Sequence, residues 1–345
     1  MIKRYTVLMS ALLLAFSSCS DRDAVRLMDD VESHIHADPV RALSELECVD
    51  RSRLRSRSAT ARFSLLYTMA LDKTEQMPDN DSTIGPALDY YRRHGSIDDR
   101  IKSLYYLGRS QYEAHAYSKA IVTFTKAYAL LEKSMDDRYC GLVNQAIADT
   151  YMTTYNDNEV MPYLDAAYDC FVRYGDKSLS DLTLYKMAIQ CTALHQYEKA
   201  DSLFRLVIEE DNVPDSVMPN IISNYAVALI TASSSDSQRI EDLFSRALDL
   251  SGGAFERTNF WAAYAYILAV NGKKDLSESI FRQLQGYAND GSSVEFWESR
   301  AYAATHDYKS AYHSLKRSLY VQDSIISVKL QNSSAKAQRD YFSLQ

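Results

Sequence analysis

Two histidines, His34 and His36, are the first residues of the chain whose type could support chemistry. Imidazole nitrogens bind zinc and related metals. Residues two positions apart on a helix point to different sides, so one ion is hard for both histidines to share. We therefore predict no metal site at this pair. The acidic pair Glu209 and Glu210 is typical of a solvated helix face and not of two catalytic carboxylates.

The motifs of common enzyme families are absent from the sequence. It contains no G-x-S-x-G nucleophile motif, no H-E-x-x-H zinc motif and no glycine-rich phosphate loop. No convergent set of acid, base and nucleophile is visible either. We therefore expect a protein that is not an enzyme and that needs no cofactor. An enzyme with a site assembled between helices is the least favoured alternative.

The cysteines allow redox chemistry if the protein is exported. Four of them, Cys48, Cys140, Cys170 and Cys191, lie beyond the N-terminal region. Cys140 begins one predicted helix and Cys170 ends its antiparallel partner, so a disulfide between these ends is possible if their Cα atoms lie within about 7 Å. We favour the alternative in which all four are small buried apolar residues.

The N-terminus has the pattern of an export signal. A basic start precedes residues 5–16, an apolar run that is too short to span a bilayer. Ser17 and Ser18 then precede Cys19, and this arrangement resembles a bacterial lipobox. The resemblance implies that cleavage leaves Cys19 as the first residue and that acyl chains such as palmitate anchor it in a membrane. A cleaved signal with a chance cysteine is the alternative.

These features divide the N-terminus into a signal peptide, residues 1–18, and a lipidated cysteine with a short tether, residues 19–22. Ser20 favours the outer membrane by analogy with lipoprotein sorting. The acidic residues Asp21 and Asp23 resemble the surface-export signals of Bacteroidetes lipoproteins. We therefore expect a cell-envelope lipoprotein, in the outer membrane and with possible exposure at the cell surface. The sequence does not decide whether the protein lies on the periplasmic or the surface side of the membrane.

Composition limits the remainder of the chain to a large helical protein. Of its 345 residues 46% are hydrophobic, and only 10 are glycine and 6 proline, which argues against a protein of strands and tight turns. The formal net charge is −8 and no basic stripe stands out, so nucleic acid is not an expected partner.

One stretch, residues 101–131, contains a complete helix–turn–helix unit. Its apolar and small residues fall on one face of each helix. The unit resembles a tetratricopeptide (TPR) repeat. The resemblance rests on Leu104, Leu107, Gly108, Ala120, Phe124 and Ala127. Repeats of this type bury a core only by stacking on neighbours, so further copies are expected on both sides.

Further copies follow at a spacing of forty residues, longer than the usual TPR period of about 34. One position of the first helix, which we call the small site, holds a small residue in each copy: Gly108, Ala148, Ala188 and Ala228. The second helix repeats three positions: Ala120, Val160, Ala200 and Ile240; Phe124, Leu164, Phe204 and Phe244; Ala127, Ala167, Val207 and Ala247.

The predicted fold is an all-α, right-handed α-solenoid of about eight TPR-like helix hairpins over residues 23–319. Residues 320–345 continue as a polar helix that caps the last repeat, with a dimer helix as the alternative. Asp89-Tyr90-Tyr91 and Tyr105-Tyr106-Leu107-Gly108 also resemble the TPR sensor regions of Bacteroidetes regulators. Because no DNA-binding domain is visible, a role in transcription is not carried over.

In TPR proteins the first helices line the concave surface, which implies a candidate binding face here. Tyrosine suits such a face because it offers an apolar ring and a hydroxyl group. An equally weighted alternative is that these tyrosines only pack helix against helix. The predicted partner-binding residues are Lys102, Tyr105, Arg109, Tyr112, Gln145, Asp149, Tyr185, Lys186 and Tyr225.

The expected function is therefore a non-enzymatic scaffold at the cell envelope that binds a protein or peptide in its groove. A carbohydrate-binding lipoprotein with a role similar to SusD-type receptors is the alternative, which we rank lower because no large inserted loops are visible. Asp81-Ser82-Thr83 and Asp215-Ser216-Val217 resemble the O-glycosylation motif of Bacteroidetes, and whether they are modified stays open.

Overall fold

The computed structural model describes residues 23–78, 80–252, 258–284 and 292–324, which form sixteen α-helices and no β-strand. In chain order the helices are α1 (23–34), α2 (Pro39–Glu47), α3 (Arg57–Lys73), α4 (Gly85–His94), α5 (Ile97–Glu113), α6 (Tyr117–Tyr128), α7 (Asp137–Thr153), α8 (Val160–Tyr174), α9 (Lys177–Ala193), α10 (Tyr197–Glu210), α11 (Met218–Thr231), α12 (Ser237–Leu250), α13 (Thr258–Val270), α14 (Lys274–Leu284), α15 (Ser292–Ala304) and α16 (308–324).

Consecutive helices pack in pairs as helix hairpins. The six pairs from α3–α4 to α13–α14 contact each other closely. Side chains also join α1 to α2, through His34 and Glu45, and α15 to α16, through Glu298 and Ser314. The described residues thus contain eight hairpins, and the prediction of an all-α protein of about eight hairpins is confirmed.

The chain divides into two compact units, Met1–Asp176 and Lys177–Gln345. The first unit contains α1 to α8 and the second contains α9 to α16. Within the first unit, α3 packs against α5, and α5 against α7, so the first helices of successive hairpins form one layer. We call α3, α5 and α7 the first-helix layer. The single array predicted over residues 23–319 stays a prediction.

Several helices begin at polar residues that accept a hydrogen bond from the first turn. Asp38 accepts from the Arg41 amide at 3.0 Å and is followed by Pro39 at the first helical position. Ser96 and Asp99 form a reciprocal capping box at the start of α5. These caps fix the residue at which each helix begins and so determine which of its side chains face the neighbouring helix.

In each hairpin from the second to the eighth, a residue in the left-handed region of φ follows two positions after the last residue of the first helix. The next amide donates to the carbonyl five residues earlier, as the Ala116 amide does to Gln111 at 2.8 Å. This bond satisfies a carbonyl at the helix end and reverses the chain. The left-handed residues are Glu75, His115, Tyr155, His195, Ser233, Gly272 and His306, and the first four are forty residues apart.

The predicted repeat positions are buried. Phe124, Leu164, Phe204 and Phe244, forty residues apart in successive second helices, are at most 1% exposed. The predicted small site is equally well defined: a Cβ atom built on Gly108 would lie 2.3 Å from Cε1 of Phe124, closer than real Cβ contacts. Gly141, which the sequence analysis did not single out, stands in the same relation to Phe171.

The structure corrects the expectation for the cysteines. Cys140 near the start of α7 is joined to Cys170 near the end of α8, with their Cα atoms 5.9 Å apart. The two helix ends were considered possible neighbours, but buried unpaired cysteines were favoured over a disulfide. Cys191 is a buried cysteine, as expected, whereas Cys48 is exposed.

Several predicted segments lie outside the described residues. They include the signal peptide, Cys19 with its tether up to residue 22, and most of the predicted capping helix, from residue 325 onward. Among the helices that the structure describes, none is both long enough and apolar enough to cross a membrane.

Candidate functional site

Arg109 ties two helices of the first-helix layer together. Its Nε donates to Oδ1 of Asp72 on α3 at 2.9 Å, and its Nη2 donates to Oε1 of Glu113 at 2.8 Å. Burial alone would lower the pKa of Arg109, but the neighbouring Tyr105 phenol and the Asp72 carboxylate hold it above its usual value. Arg109 therefore stays charged, and its guanidinium is largely committed to protein carboxylates.

A cleft of about 420 Å³ opens beside this ion pair, at the C-terminal ends of α3 and α5. Three carboxylates and one guanidinium line most of it, so its walls carry a net negative charge if all ionise. It is lined by Asp72, Glu75, Met77, Arg109 and Glu113.

Tyr112 connects α5 to the next helix of the layer. Its hydroxyl is 2.7 Å from Oγ1 of Thr153 at the end of α7. The Arg109 guanidinium lies 5.6 Å from the centre of its ring, within range of a cation–π interaction. Tyr112, Gln145 and Asp149 are half-buried, so part of each side chain reaches the surface of the layer.

Tyr105 lies in the core. It is 7% exposed, and its ring contacts the rings of Tyr106, Phe124 and Tyr139. Burial, and after it the carboxylate of Asp72, raise the pKa of Tyr105 well above its ordinary value, so the phenol stays protonated. For this residue the geometry favours the alternative in which tyrosine packs helix against helix.

The second unit contains the other predicted residues, Tyr185, Lys186 and Tyr225. Tyr225 is 3% exposed and donates from its hydroxyl to Oδ1 of Asp201 at 2.5 Å. Burial and this hydrogen bond raise the pKa of Tyr225 to about 12. Tyr185 and Lys186 are half-buried, and the Tyr185 hydroxyl accepts from Nδ2 of Asn224 at 2.5 Å. Tyr225 is thus a core residue, whereas Tyr185 and Lys186 reach the surface.

A basic cluster in the first unit was not predicted. Lys73 ends α3, Lys102 lies near the start of α5, and Arg138 lies in the first turn of α7. Nζ of Lys102 is 3.9 Å from Oδ2 of Asp136, two residues before Arg138. We call Lys73, Lys102 and Arg138 the basic cluster. The sequence shows three separate helix ends, and only the packing of α3, α5 and α7 brings their charges within electrostatic range of one residue, His36.

His36 lies within reach of the basic cluster although its side chain is accessible to water. The pKa of His36 is lowered to about 3, chiefly by partial desolvation of the imidazole and then by the positive charges of Arg138, Lys73 and Lys102. Burial and the charge of Arg138 also lower the pKa of Lys73. His36 is therefore neutral at pH 7.

His34 belongs to a different group of side chains. Nε2 of His34 is 3.3 Å from Oε2 of Glu45, and one ligand atom from each of Asp30, His34 and Glu45 falls within 4.8 Å of the others. The guanidinium of Arg41 contacts both carboxylates, with Nε 2.8 Å from Oε1 of Glu45. Arg41 thus supplies a positive charge to this group, which fastens α1 to α2. His36 is not a member of this group, and the absence of a metal site at the two histidines stays a prediction.

Solved structures match the chain, although no family model and no curated protein does. A Rap protein complexed with competence and sporulation factor is similar with a TM-score of 0.64 and 12% identity, over 89% of this chain and 99% of its own. NprR in complex with its cognate peptide NprX gives 0.59 and 15%, over 87% and 91%. A tetratricopeptide repeat protein from Parabacteroides merdae gives 0.52 and 12%, over 79% and 98%.

Identities this low establish a shared fold and leave function open. The chain has a TPR-like helical repeat fold. Within this TPR-like fold, the part that the predicted residues play in binding stays a prediction. The most accessible of them are the half-buried residues Lys102, Arg109, Tyr112, Gln145, Asp149, Tyr185 and Lys186.

Proposed function

We propose that this protein is a non-enzymatic, lipid-anchored scaffold whose TPR-like hairpins bind a protein or peptide partner. The observation that carries the proposal is the first-helix layer. Half-buried polar and aromatic side chains stand side by side on α5 and α7, among them Lys102, Tyr112, Gln145 and Asp149. Such residues combine hydrogen-bonding groups with apolar area and lose little side-chain freedom on binding.

Two of the similar structures were solved with a peptide or factor bound: the Rap protein with competence and sporulation factor, and NprR with its cognate peptide. Their similarity to this chain is one of fold. This supports a peptide or protein as the partner.

Export and lipid anchoring at Cys19 are part of the proposal. The apolar run and the small residues before Cys19 support them. The disulfide between Cys140 and Cys170 is also compatible with an exported protein, because such bonds persist in oxidising compartments. We propose the outer membrane as the location, with the lipid holding the helical units at the envelope.

The anchor is tested by labelling cells with an alkyne analogue of palmitate. The native protein should carry the label and sediment with membranes, and the variant Cys19→Ser should lose both properties. Equal labelling of the two proteins would show that the acyl chain is not attached at Cys19.

The binding face is tested by capture from envelope extract with Lys102→Ala combined with Tyr112→Ala. The matched control combines Lys126→Ala with Tyr128→Ala on α6, where both side chains are exposed. We expect the first pair to lower recovery of the partner about tenfold or more, as for residues central to an interface, and the control pair to leave it unchanged. Equal recovery with both pairs would remove the first-helix layer as the binding face. A glycan array run alongside separates a peptide partner from a carbohydrate.

A further inference from the structure

We propose that the basic cluster, Lys73, Lys102 and Arg138, is a binding site for the carboxylate groups of an acidic peptide. This inference rests on the proposed function and names the chemistry of the partner. It differs from the predicted face because Lys73 and Arg138 were not among the predicted residues. The site is built from three helices of the first-helix layer.

Two of the three positive groups, those of Lys102 and Arg138, lie near the start of α7. The contact of Lys102 with Asp136, 3.9 Å, places its ammonium group at the N-terminal end of α7, and the same ammonium lies 5.2 Å from the centre of the Tyr139 ring. Arg138 occupies the first turn of that helix. Lys73 is close enough for the charge of Arg138 to lower its pKa. The positive end of the α7 dipole adds to the field of these groups.

Carboxylates in the neighbourhood are already engaged elsewhere. Asp72 accepts from Arg109 at 2.9 Å, and Asp137 accepts from Nε of Arg173 at 2.9 Å. Asp136 accepts from the Tyr139 amide at 3.1 Å as the cap of α7 and touches Lys102 only at 3.9 Å. Within the described part of the chain, no carboxylate lies within ion-pair distance of Lys73 or Arg138. The cluster therefore keeps a net positive charge.

Arg138 also has an unused hydrogen-bond donor. Its Nε is buried without a partner among the described residues, and its Nη1 reaches the Tyr174 hydroxyl only at 3.5 Å. A buried donor that is left unsatisfied destabilises the folded state, and partly buried like charges add to that cost. An anion beside the exposed part of the guanidinium would offset the repulsion among the three cations. The free protein is thus prepared to accept negative charge at this point.

Local contacts, and not long-range charge attraction, would have to bind a carboxylate-bearing peptide at the basic cluster. The protein as a whole is acidic, with a formal net charge of −8, so long-range attraction does not favour an acidic partner. Binding must come from local contacts. Arginine offers a planar fork that matches a carboxylate, and the two lysines add single charge-assisted hydrogen bonds.

The test measures fluorescence anisotropy of a fluorescein-labelled hexaglutamate peptide with the full chain in detergent at low salt. A hexaserine peptide of the same length serves as the uncharged probe. We expect hexaglutamate to bind and hexaserine not to bind. Lys73→Gln and Arg138→Gln should each weaken hexaglutamate binding about tenfold, in line with loss of one charge-assisted hydrogen bond.

Two controls keep the result interpretable. Lys126→Gln removes the same charge from an exposed position on α6 and should change binding less than about twofold, as expected for one screened surface charge. Lys73→Arg keeps the charge and should retain binding, which separates loss of charge from loss of folding. A loss for Lys126→Gln equal to that for Lys73→Gln would overturn the site. Competition by inorganic phosphate at the peptide's own concentration would assign it to a free anion and overturn the peptide.

Failure of this inference is distinguishable from failure of the proposed function. If envelope extract yields a partner through the first-helix layer but hexaglutamate binding ignores Lys73 and Arg138, the scaffold stands and the acidic-peptide site falls. If hexaglutamate binds at the basic cluster but no partner is captured, the anion site stands and the scaffold role falls.

Discussion

The Cα atom of Gly108 lies against the ring of Phe124, since a Cβ atom built there would be 2.3 Å from Cε1. Alanine favours a helix over glycine by about 1 kcal/mol. Here the buried ring cannot give way without disturbing the core, so overpacking should dominate. We predict that Gly108→Ala lowers the free energy of unfolding by about 1–3 kcal/mol, measured by urea denaturation. Gly85→Ala is the control because its Cβ would meet no atom within 4 Å.

A stabilising effect of Gly108→Ala, equal to that of Gly85→Ala, would contradict the close approach. The sequence predicted that a small residue is needed here, because a glycine inside a helix pattern stood at the same position as three alanines, but it did not identify the Phe124 ring as the neighbour. Gly141 was missed because alanine, not glycine, holds the matching small site in its own hairpin, at Ala148.

His36 gives the protein a pH dependence that the sequence did not predict. Its pKa in the folded state is about 3, below the ordinary 6.5, so the unfolded chain binds the proton more readily between these values. Its contribution to stability is therefore complete above pH 6.5 and is lost as the pH falls towards 3, and it is small because water screens the exposed imidazole. We predict that His36→Gln makes the decline in stability over this range shallower, measured by urea denaturation at several pH values.

The matched control is His313→Gln, which removes an exposed imidazole from α16. It should leave the decline unchanged, and a decline equally steep in His36→Gln and the native protein would refute the prediction. His36 was considered in the sequence only as a metal ligand. Its actual surroundings depend on Lys73, Lys102 and Arg138, which lie 37 to 102 positions further along the chain.

Among the elements, α7 and α8 are joined covalently by Cys140 and Cys170, 30 positions apart. In the chain-entropy model, a link across a loop of this length stabilises the folded state by about 2–4 kcal/mol by restricting the unfolded chain. We predict that Cys140→Ser combined with Cys170→Ser lowers the free energy of unfolding by that amount, measured by urea denaturation.

Reduction with dithiothreitol provides the control. It should destabilise the native protein by a similar amount and leave the double variant unchanged. If both proteins respond equally to the reductant, the effect comes from another cysteine. The sequence showed that these two helix ends could be neighbours, but the spacing of cysteines does not distinguish a bond from two buried thiols.

The helix pattern itself was largely predictable. The forty-residue spacing fixed four hairpins, because the small and aromatic positions recur where each helix pair must approach closely. The turns repeat at the same spacing, as the left-handed residues Glu75, His115, Tyr155 and His195 show. They were harder to predict because only Gly272 among the seven is a glycine. In the others a hydrogen-bonded helix end imposes a conformation that the side chain does not favour.

At the scale of the whole molecule, the fold class was predictable and the site only in part. The burial of apolar residues on one face of a helix depends on their spacing along the chain, which can be read from the sequence. A binding surface depends on side chains from separate hairpins, and small changes in packing decide which of them stay accessible. Tyr105 and Tyr225 were placed correctly on first helices, but both are buried. Lys73 and Arg138 belong to the basic cluster but were not predicted, because they lie at separate helix ends.

The central claim is that a peptide or protein partner binds at the first-helix layer. The most direct test places the photo-crosslinking residue benzoylphenylalanine at Tyr112 on α5, and separately at Tyr128 on α6, in the protein within its own envelope. We predict a discrete crosslinked product from Tyr112 and none from Tyr128, because only Tyr112 lies on that layer. A product from Tyr128 with none from Tyr112 would contradict the account.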